Sequence, residues 1–135
     1  MRVLIGHDIS VAQWVGSKIG TPISPPYSAI GFIDNEGTLR AGFVFFRYEP
    51  GGNLDFTLAA SCALQRGMLA IVGEYVFGQL GCKRLTSRPR VKNSQHCDML
   101  KRAGFVPEAV LKDYFKDDDA LQMRLLKREA KKWMI

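Results

Sequence analysis

The sequence is poor in metal-binding and disulfide-forming residues. Its three cysteines, Cys62, Cys82 and Cys97, are an odd number with no close pair. This pattern argues against a disulfide framework and against a cysteine-rich metal site. The two histidines, His7 and His96, lie far apart and have no ligand-like neighbours, so we expect no metal.

The sequence also has no apolar run near the ~18 residues that a membrane-spanning helix needs. Its N-terminal stretch lacks the apolar segment of a signal peptide and soon turns polar. The chain has 135 residues, of which 47% are hydrophobic, which is enough to build a core. We therefore expect one domain, residues 1–135, in a soluble cytoplasmic protein.

Charge is the main compositional excess. The net charge is +6, and basic residues concentrate in segments 83–92 and 127–132. Such an excess suits an anionic partner, either nucleic acid or a phosphate-bearing cofactor, and it also serves solubility.

Hydrophobic periodicity and turn residues predict an alternation of strands and helices. The predicted strands are Met1–Gly6, Ala29–Ile33, Leu39–Tyr48, Asn53–Ala60, Lys83–Val91, Val110–Phe115 and Ala120–Leu126. The predicted helices run from Asp8 or Ser10 to Ile19, from Met68 to Leu80, from Asn93 to Ala103 and from Lys127 to Trp133. A proline-containing loop, Thr21–Tyr27, follows the first helix.

The segment from Asn93 to Phe105 carries clear helix start and stop signals. Asn93 can accept from free N–H groups of the first turn, and Gly104 can adopt the left-handed conformation that ends a helix. Cys97, Leu100 and Ala103 form an inward stripe. With a strand on either side, this helix indicates a cofactor cleft.

Three motifs in this half of the chain resemble those of the GNAT acyl-CoA N-acyltransferases. Asn93, Met99, Arg102, Gly104 and Phe105 are in register with the pattern N-x-x-A-x-x-L-Y-x-K-x-G-F. Gly81–Leu85 resembles the L-G-C-x-R-L end of the family's central helix. The segment from Glu108 to Ala120 resembles a hairpin typical of the ribosomal-protein N-terminal acetyltransferase branch. The resemblance extends from about Thr57 to Glu129.

The resemblance implies an α/β (α+β) fold with a central mixed, mostly antiparallel sheet flanked by helices. Its fourth and fifth strands splay apart, and acyl-CoA lies between them. Here these strands would be Asn53–Ala60 and Lys83–Val91. Propensity alone favours a helix from Ala120 to Trp133, and the resemblance replaces its first half with a strand.

The resemblance also implies a CoA-binding surface after the fourth strand. The family uses Q/R-x-x-G-x-G/A, whose backbone N–H groups bind the pyrophosphate. Gln65 and Ala70 fit this motif, whereas Met68 stands where glycine is expected, so the register stays open. The implied residues are Leu58, Ala59, Ala60, Ser61, Leu64, Gln65, Arg66 and Gly67, together with Asn93, which would contact the pantetheine arm. An ordinary strand-to-helix turn is the alternative.

Direct acetyl transfer needs an amine without its extra proton, a donor to the carbonyl oxygen, and a proton for the leaving thiolate. The resemblance implies a strand N–H between Leu58 and Ser61 as the donor. Many family members use a tyrosine acid at the position of Leu100. Cys97 and Tyr114 are the replacement candidates, although a buried structural cysteine and a packed strand tyrosine are alternatives. Asp55 is the candidate base through a water, or else a solvated or salt-bridged carboxylate.

These observations lead to three hypotheses. The first is an acetyl-CoA-dependent N-acetyltransferase that acts directly on a primary amine, such as a peptide N-terminus, a lysine or a small amine. The second is a catalytically weak or inactive GNAT-like binding module. The third is a nucleic-acid binder that uses Arg84, Arg88, Arg90 and Lys92, and the lack of interleaved aromatic residues disfavours it. A homodimer is compatible with all three.

Overall fold

A seven-stranded sheet organises the chain in the computed structural model, which describes residues 1–134. The strands are β1 (Arg2–Leu4), β2 (Ser28–Ile33), β3 (Leu39–Phe46), β4 (Asn53–Ala60), β5 (Arg84–Ser87), β6 (Val106–Leu111) and β7 (Ala120–Leu126). The helices are α1 (Asp8–Ile19), α2 (Arg66–Gly73) and α3 (Ser94–Arg102), and α2 continues as a π-helical segment, Glu74–Gln79. The strand order is β1-β2-β3-β4-β5-β7-β6.

The sheet is antiparallel within residues 1–134 except between β4 and β5. This parallel ladder has three residue pairs and ends where Asp55 faces Thr86. β4 runs on to Ala60, whereas β5 ends at Ser87 and pairs with β7 on its other side. The predicted fold, with its splayed fourth and fifth strands, is therefore confirmed.

Each face of the sheet has its own apolar layer, because successive strand side chains point to opposite faces. On one face, Val11 and Val15 of α1 pack near Val44 and Ala59. On the other face, α2 and α3 cover the larger cluster. That cluster includes four mutually packed aromatic rings, those of Phe43, Phe56, Phe105 and Trp133.

Several element boundaries differ from the predicted ones. β5 is four residues long and does not reach Val91, because Pro89 has no N–H to donate to a ladder; beyond it, Arg90 forms an isolated bridge with Ala120. α2 begins at Arg66, before the predicted Met68. None of the helices in residues 1–134 is long and apolar enough to cross a membrane.

In the final hairpin, the second strand has its predicted bounds, Ala120–Leu126, and the first strand is shifted towards the N-terminus. Its first strand is Val106–Leu111 and not Val110–Phe115, because the turn that follows starts earlier. Asp119 accepts a hydrogen bond from the backbone N–H of Asp113, which has a left-handed φ of 54°. Segment 127–133 forms two 3₁₀ turns, Lys127–Glu129 and Lys131–Trp133, in place of the predicted helix.

Candidate active site

A cavity of about 300 Å³ lies where β4 and β5 separate. Its walls come from the end of α1 and the following loop, the ends of β3 and β5, the start of α3 and the turn between β6 and β7. Asp55, Asn93 and Tyr114, three of the predicted site residues, line it. The fold thus brings together residues that are up to 59 positions apart in the sequence.

Beyond Asp55, β4 still pairs with β3 along one edge, and its opposite edge no longer pairs with β5. The N–H of Ser61 donates to the carbonyl oxygen of Arg40 at 2.8 Å, on the β3 side. Because peptide groups alternate along a strand, those of Leu58 and Ala60 point the other way, where β5 no longer pairs. Of the backbone N–H groups predicted to donate to the acetyl carbonyl oxygen, those of Leu58 and Ala60 therefore point away from β3. The N–H groups of Ala59 and Ser61 point towards β3.

The predicted phosphate turn joins β4 to α2 and does not line the cavity. Gln65 caps α2 with extended backbone and no side-chain hydrogen bond, so the N–H groups of the first turn are not satisfied by a cap. Leu64 packs on the core, whereas Gln65, Arg66 and Gly67 are exposed. A Cβ atom at Gly67 would meet nothing within 4 Å. An exposed helix start with free N–H groups fits an anionic group such as a pyrophosphate.

Asn93 begins α3 as the sequence predicts. Its side-chain oxygen accepts a hydrogen bond from the N–H of His96 at 3.1 Å. Its capping role is thus confirmed. Because it also lines the cavity, its predicted contact with pantetheine stays a prediction that this position allows.

Asp55 is 2% exposed and accepts three side-chain hydrogen bonds. Its Oδ2 accepts from Arg88 at 2.8 Å and from Arg47 at 3.0 Å, and its Oδ1 accepts from the side-chain nitrogen of Asn53 at 2.8 Å. Burial alone would raise the pKa of Asp55, but the hydrogen bonds from Asn53, Arg88 and Arg47 hold it below its usual range. A carboxylate with a lowered pKa is a weak base, so this geometry favours the salt-bridged alternative for Asp55.

Arg47 has an unusual backbone conformation at the end of β3. Its φ is 51°, in the left-handed region that residues other than glycine rarely adopt. The hydrogen bond to Asp55 is the main cause that raises the pKa of Arg47, and its side chain is 65% exposed. Strained conformations of this kind concentrate at functional sites.

His96 is a cavity residue that the sequence reasoning missed. It is 7% exposed, and its Nε2 has no hydrogen-bond partner among the described residues. Burial lowers its pKa to about 4, so the ring is neutral at pH 7. The sequence signal for its burial was its spacing of four residues from Leu100, which places the two side chains on the same side of α3.

The two candidates for the catalytic acid differ in position. Tyr114 lines the cavity and is 44% exposed. Cys97 is buried outside the cavity lining, and its thiol donates to the carbonyl oxygen of Arg90 at 3.5 Å. Burial also raises the pKa of the Cys97 thiol. These surroundings are typical of a cysteine packed in the core. A catalytic role for Tyr114 or Cys97 stays a prediction.

The basic segment proposed for nucleic acid is largely paired within the chain. Arg84 pairs with Glu108, Arg88 with Asp55, and Arg90 with Asp117. Three of the four proposed side chains thus have carboxylate partners within the chain, which disfavours a continuous surface for a nucleic-acid backbone. Within residues 1–134, no cluster of three or more His, Cys, Asp or Glu side chains could hold a metal ion.

Searches of the sequence against protein-family models and curated proteins found no match. Solved structures do match. A chimera of the spermidine N-acetyltransferase SpeG from Vibrio cholerae and hSSAT is 17% identical, with a TM-score of 0.66, over 77% of this chain and 70% of that chain. The chain has the fold of N-acetyltransferases.

Two further structures support the same conclusion. A dodecameric spermidine N-acetyltransferase from Vibrio cholerae is 16% identical, with a TM-score of 0.64, over 75% of this chain and 65% of that chain. A GNAT-family acetyltransferase from Bacillus anthracis is 14% identical, with a TM-score of 0.62, over 75% of this chain and 67% of that chain. At these identities the likeness establishes the GNAT fold and leaves the activity to the site.

Proposed function

We propose that this protein is an acetyl-CoA-dependent N-acetyltransferase that transfers the acetyl group directly to a primary amine. The observation that carries the proposal is the end of the β4–β5 ladder at Asp55 and Thr86 beside a cavity of about 300 Å³. Beyond this point, outside the cavity lining, the edge of β4 that no longer pairs with β5 carries the N–H groups of Leu58 and Ala60, which suit an extended substrate. The resemblance of segment 57–129 to the GNAT family supports the same activity.

The proposed reaction is a single displacement. The uncharged amine attacks the thioester carbonyl carbon, a C–N bond forms, and the C–S bond breaks. The nitrogen loses one proton to water, and the leaving thiolate of CoA gains one proton. The products are an N-acetylated amine and free CoA thiol.

The chain's own groups have separate roles in this proposal. The N–H groups of Leu58 and Ala60 hold the acyl carrier along β4 and donate to the carbonyl oxygen as negative charge develops. The first turn of α2, with Arg66 and Gly67, binds the pyrophosphate. Asn93 contacts the pantetheine arm. The phenol of Tyr114 protonates the leaving thiolate, because Tyr114 is the one predicted acid that lines the cavity.

Calorimetry with acetyl-CoA and a thiol-release assay on a panel of amines test the activity together. Binding with release supports the transferase. Binding without release supports the second candidate, a GNAT-like binding module, which the burial of Leu100 in place of the usual tyrosine favours. The absence of binding overturns both.

The placement of the pyrophosphate is tested by Arg66→Glu. This change reverses the charge at the first residue of α2, and we expect the affinity for acetyl-CoA to fall at least about tenfold. Lys131→Glu makes the same charge change at an exposed residue of the C-terminal 3₁₀ turn and is the control. Equal affinities of the two variants would remove Arg66 from the site.

The proton donor is tested by comparing Tyr114→Phe with Cys97→Ala. We expect the first change to lower kcat by about 10²-fold or more with little change in acetyl-CoA affinity. The second should leave kcat within about threefold once the fraction of folded protein is taken into account. The reverse order would assign the acid to Cys97.

A further inference from the structure

The charges that line the cavity do not cancel. The charged side chains in its lining are Arg47, Asp55, Arg88 and Arg90. Arg90 is paired with Asp117, stacks on Phe115 and donates to Thr21. The remaining three, Arg47, Asp55 and Arg88, carry two positive charges and one negative charge, so the lining has a net positive charge.

Asp55 cannot take up all the hydrogen-bonding capacity of its two arginines. Both Arg47 and Arg88 donate one Nη1 hydrogen bond to the same Oδ2 atom, and Oδ1 is occupied by Asn53. Arg88 also donates from Nε to Gln122. Since a guanidinium has five N–H donors in a planar fork, the contacts with Asp55 leave both arginines with further donors. Among the described residues, Arg47 has Tyr114 as a second hydrogen-bonding neighbour, which also helps to raise the pKa of Arg47.

The donors of Arg47 are accessible, and those of Arg88 are held in position. The side chain of Arg47 is 65% exposed, whereas that of Arg88 is 24% exposed and anchored on both Asp55 and Gln122. The left-handed backbone of Arg47 places an arginine where glycine would be unstrained. Two guanidinium groups that converge on one carboxylate oxygen also lie close enough together to share a second oxyanion.

We infer that the amine acceptor carries an oxyanion group, a carboxylate or a phosphate, which Arg47 and Arg88 bind. The acceptor is thus a small zwitterionic amine, such as an amino acid or an aminoalkyl phosphate, and not a polyamine. This inference rests on the proposed acetyl transfer. A polyamine would bring further positive charge to a site that already has an excess, whereas an anion completes the free donors.

The positive lining has a second consequence for the reaction. A nearby positive charge disfavours the ammonium form of an amine and lowers its pKa. Arg47 and Arg88 therefore disfavour an acceptor whose positive charges have no anionic group to compensate them, such as a polyamine.

The inference is tested by comparing kcat/KM for thiol release between matched acceptors. The concentration of each acceptor is expressed as that of its uncharged amine form. β-Alanine is compared with β-alaninamide, phosphoethanolamine with ethanolamine, and spermidine serves as the polyamine. We expect at least one anionic acceptor to exceed its neutral partner and spermidine about tenfold or more. The better anionic acceptor identifies whether the site takes carboxylate or phosphate.

Arg47→Gln should raise the KM of the preferred anionic acceptor about ten times more than it raises the KM of the neutral partner. The control is Arg2→Gln, since Arg2 is exposed on β1 and outside the cavity lining, and it should change neither value. A preference for spermidine, or equal use of anionic and neutral partners, overturns this inference and leaves the transferase standing. The absence of thiol release with every amine overturns the transferase and this inference with it.

Discussion

Gly73 lies directly against the carbonyl group of Trp133, so that a Cβ atom at Gly73 would be 2.1 Å from that oxygen. The C-terminal 3₁₀ turn therefore packs on α2 without room for a side chain. The indole Nε1 of Trp133 also donates to the carbonyl oxygen of Ala103 at 2.7 Å, which holds the turn on the core. The packing of these residues makes the last turn part of the folded core.

Gly73→Ala should therefore lower the free energy of unfolding by about 1–3 kcal/mol, since an inserted methyl group must displace backbone. Urea denaturation measures the change. Gly67→Ala is the matched control in the same helix, because its Cβ meets nothing within 4 Å, and it should add about 0.5–1 kcal/mol. An unaltered stability of the Gly73 variant would show that the C-terminal turn does not pack on α2 in solution.

Asn93→Ala should lower the free energy of unfolding by about 1 kcal/mol, because the N–H of His96 loses its cap. Asn93→Ser keeps a capping oxygen and should retain most of the stability. When acetyl-CoA affinity is also measured, the two variants distinguish the capping role of Asn93 from its proposed contact with the pantetheine arm. A serine variant that is stable but binds acetyl-CoA more weakly supports the pantetheine contact, and one with unchanged affinity contradicts it.

Stability should depend on pH through His96. Burial lowers its pKa in the folded state to about 4 from 6.5, so below pH 6.5 the unfolded chain binds a proton that the folded protein does not. Stability is therefore full above pH 6.5 and falls as the pH drops, by about 3 kcal/mol at pH 4. Asp55, whose pKa also lies below its ordinary value of 3.8, adds its own loss only at still lower pH.

His96→Phe should flatten this dependence between pH 6.5 and pH 4, as measured by urea denaturation at several pH values. The control is His7→Phe, which keeps the steep region because His96 is still present. If the slope is the same with and without His96, its ring is not buried in a neutral form.

Arg47→Gly and Arg47→Ala both remove the ion pair with Asp55, so the difference between their stabilities measures the effect of the backbone conformation alone. With φ at 51°, the glycine variant should be about 1 kcal/mol more stable than the alanine variant. Thermal or urea denaturation measures the difference. Equal stabilities would mean that residue 47 is not left-handed in solution.

Local patterns in the sequence predicted most of the helices and strands, whereas the resemblance to the GNAT family supplied the sheet arrangement and the strand Ala120–Leu126. The alternation from Asn53 to Ala60 is a property of neighbouring residues, and so is the Asn93 cap, and both stand in the structure. The end of β5 was mispredicted at Val91, although Pro89, which cannot donate to a ladder, marked the earlier end in the sequence. The 3₁₀ turns after Leu126 were mispredicted, because the packing of Trp133 on α2 outweighs the helix propensity of that segment.

The electrostatics of the site could not be predicted from local sequence patterns. Asp55 meets Arg47 and Arg88 across sequence separations of 8 and 33 residues, and such pairing depends on how strands pack. The same is true of the unpaired Nε2 of His96 and of the left-handed Arg47. Asp55 and Tyr114 were predicted as single candidates, and the structure shows the charged surroundings that decide what each can do.

The three-pair ladder between β4 and β5 sets the size of the opening independently of the rest of the fold. Each further pair would move the point of separation by about 3.3 Å, towards Ala60, and each lost pair would move it the other way. The ion pair with Arg88, which lies two residues after Thr86, joins Asp55 of the last pair to the chain just beyond β5. Substitutions there would alter the length of molecule that the protein admits while the seven-stranded scaffold stays the same.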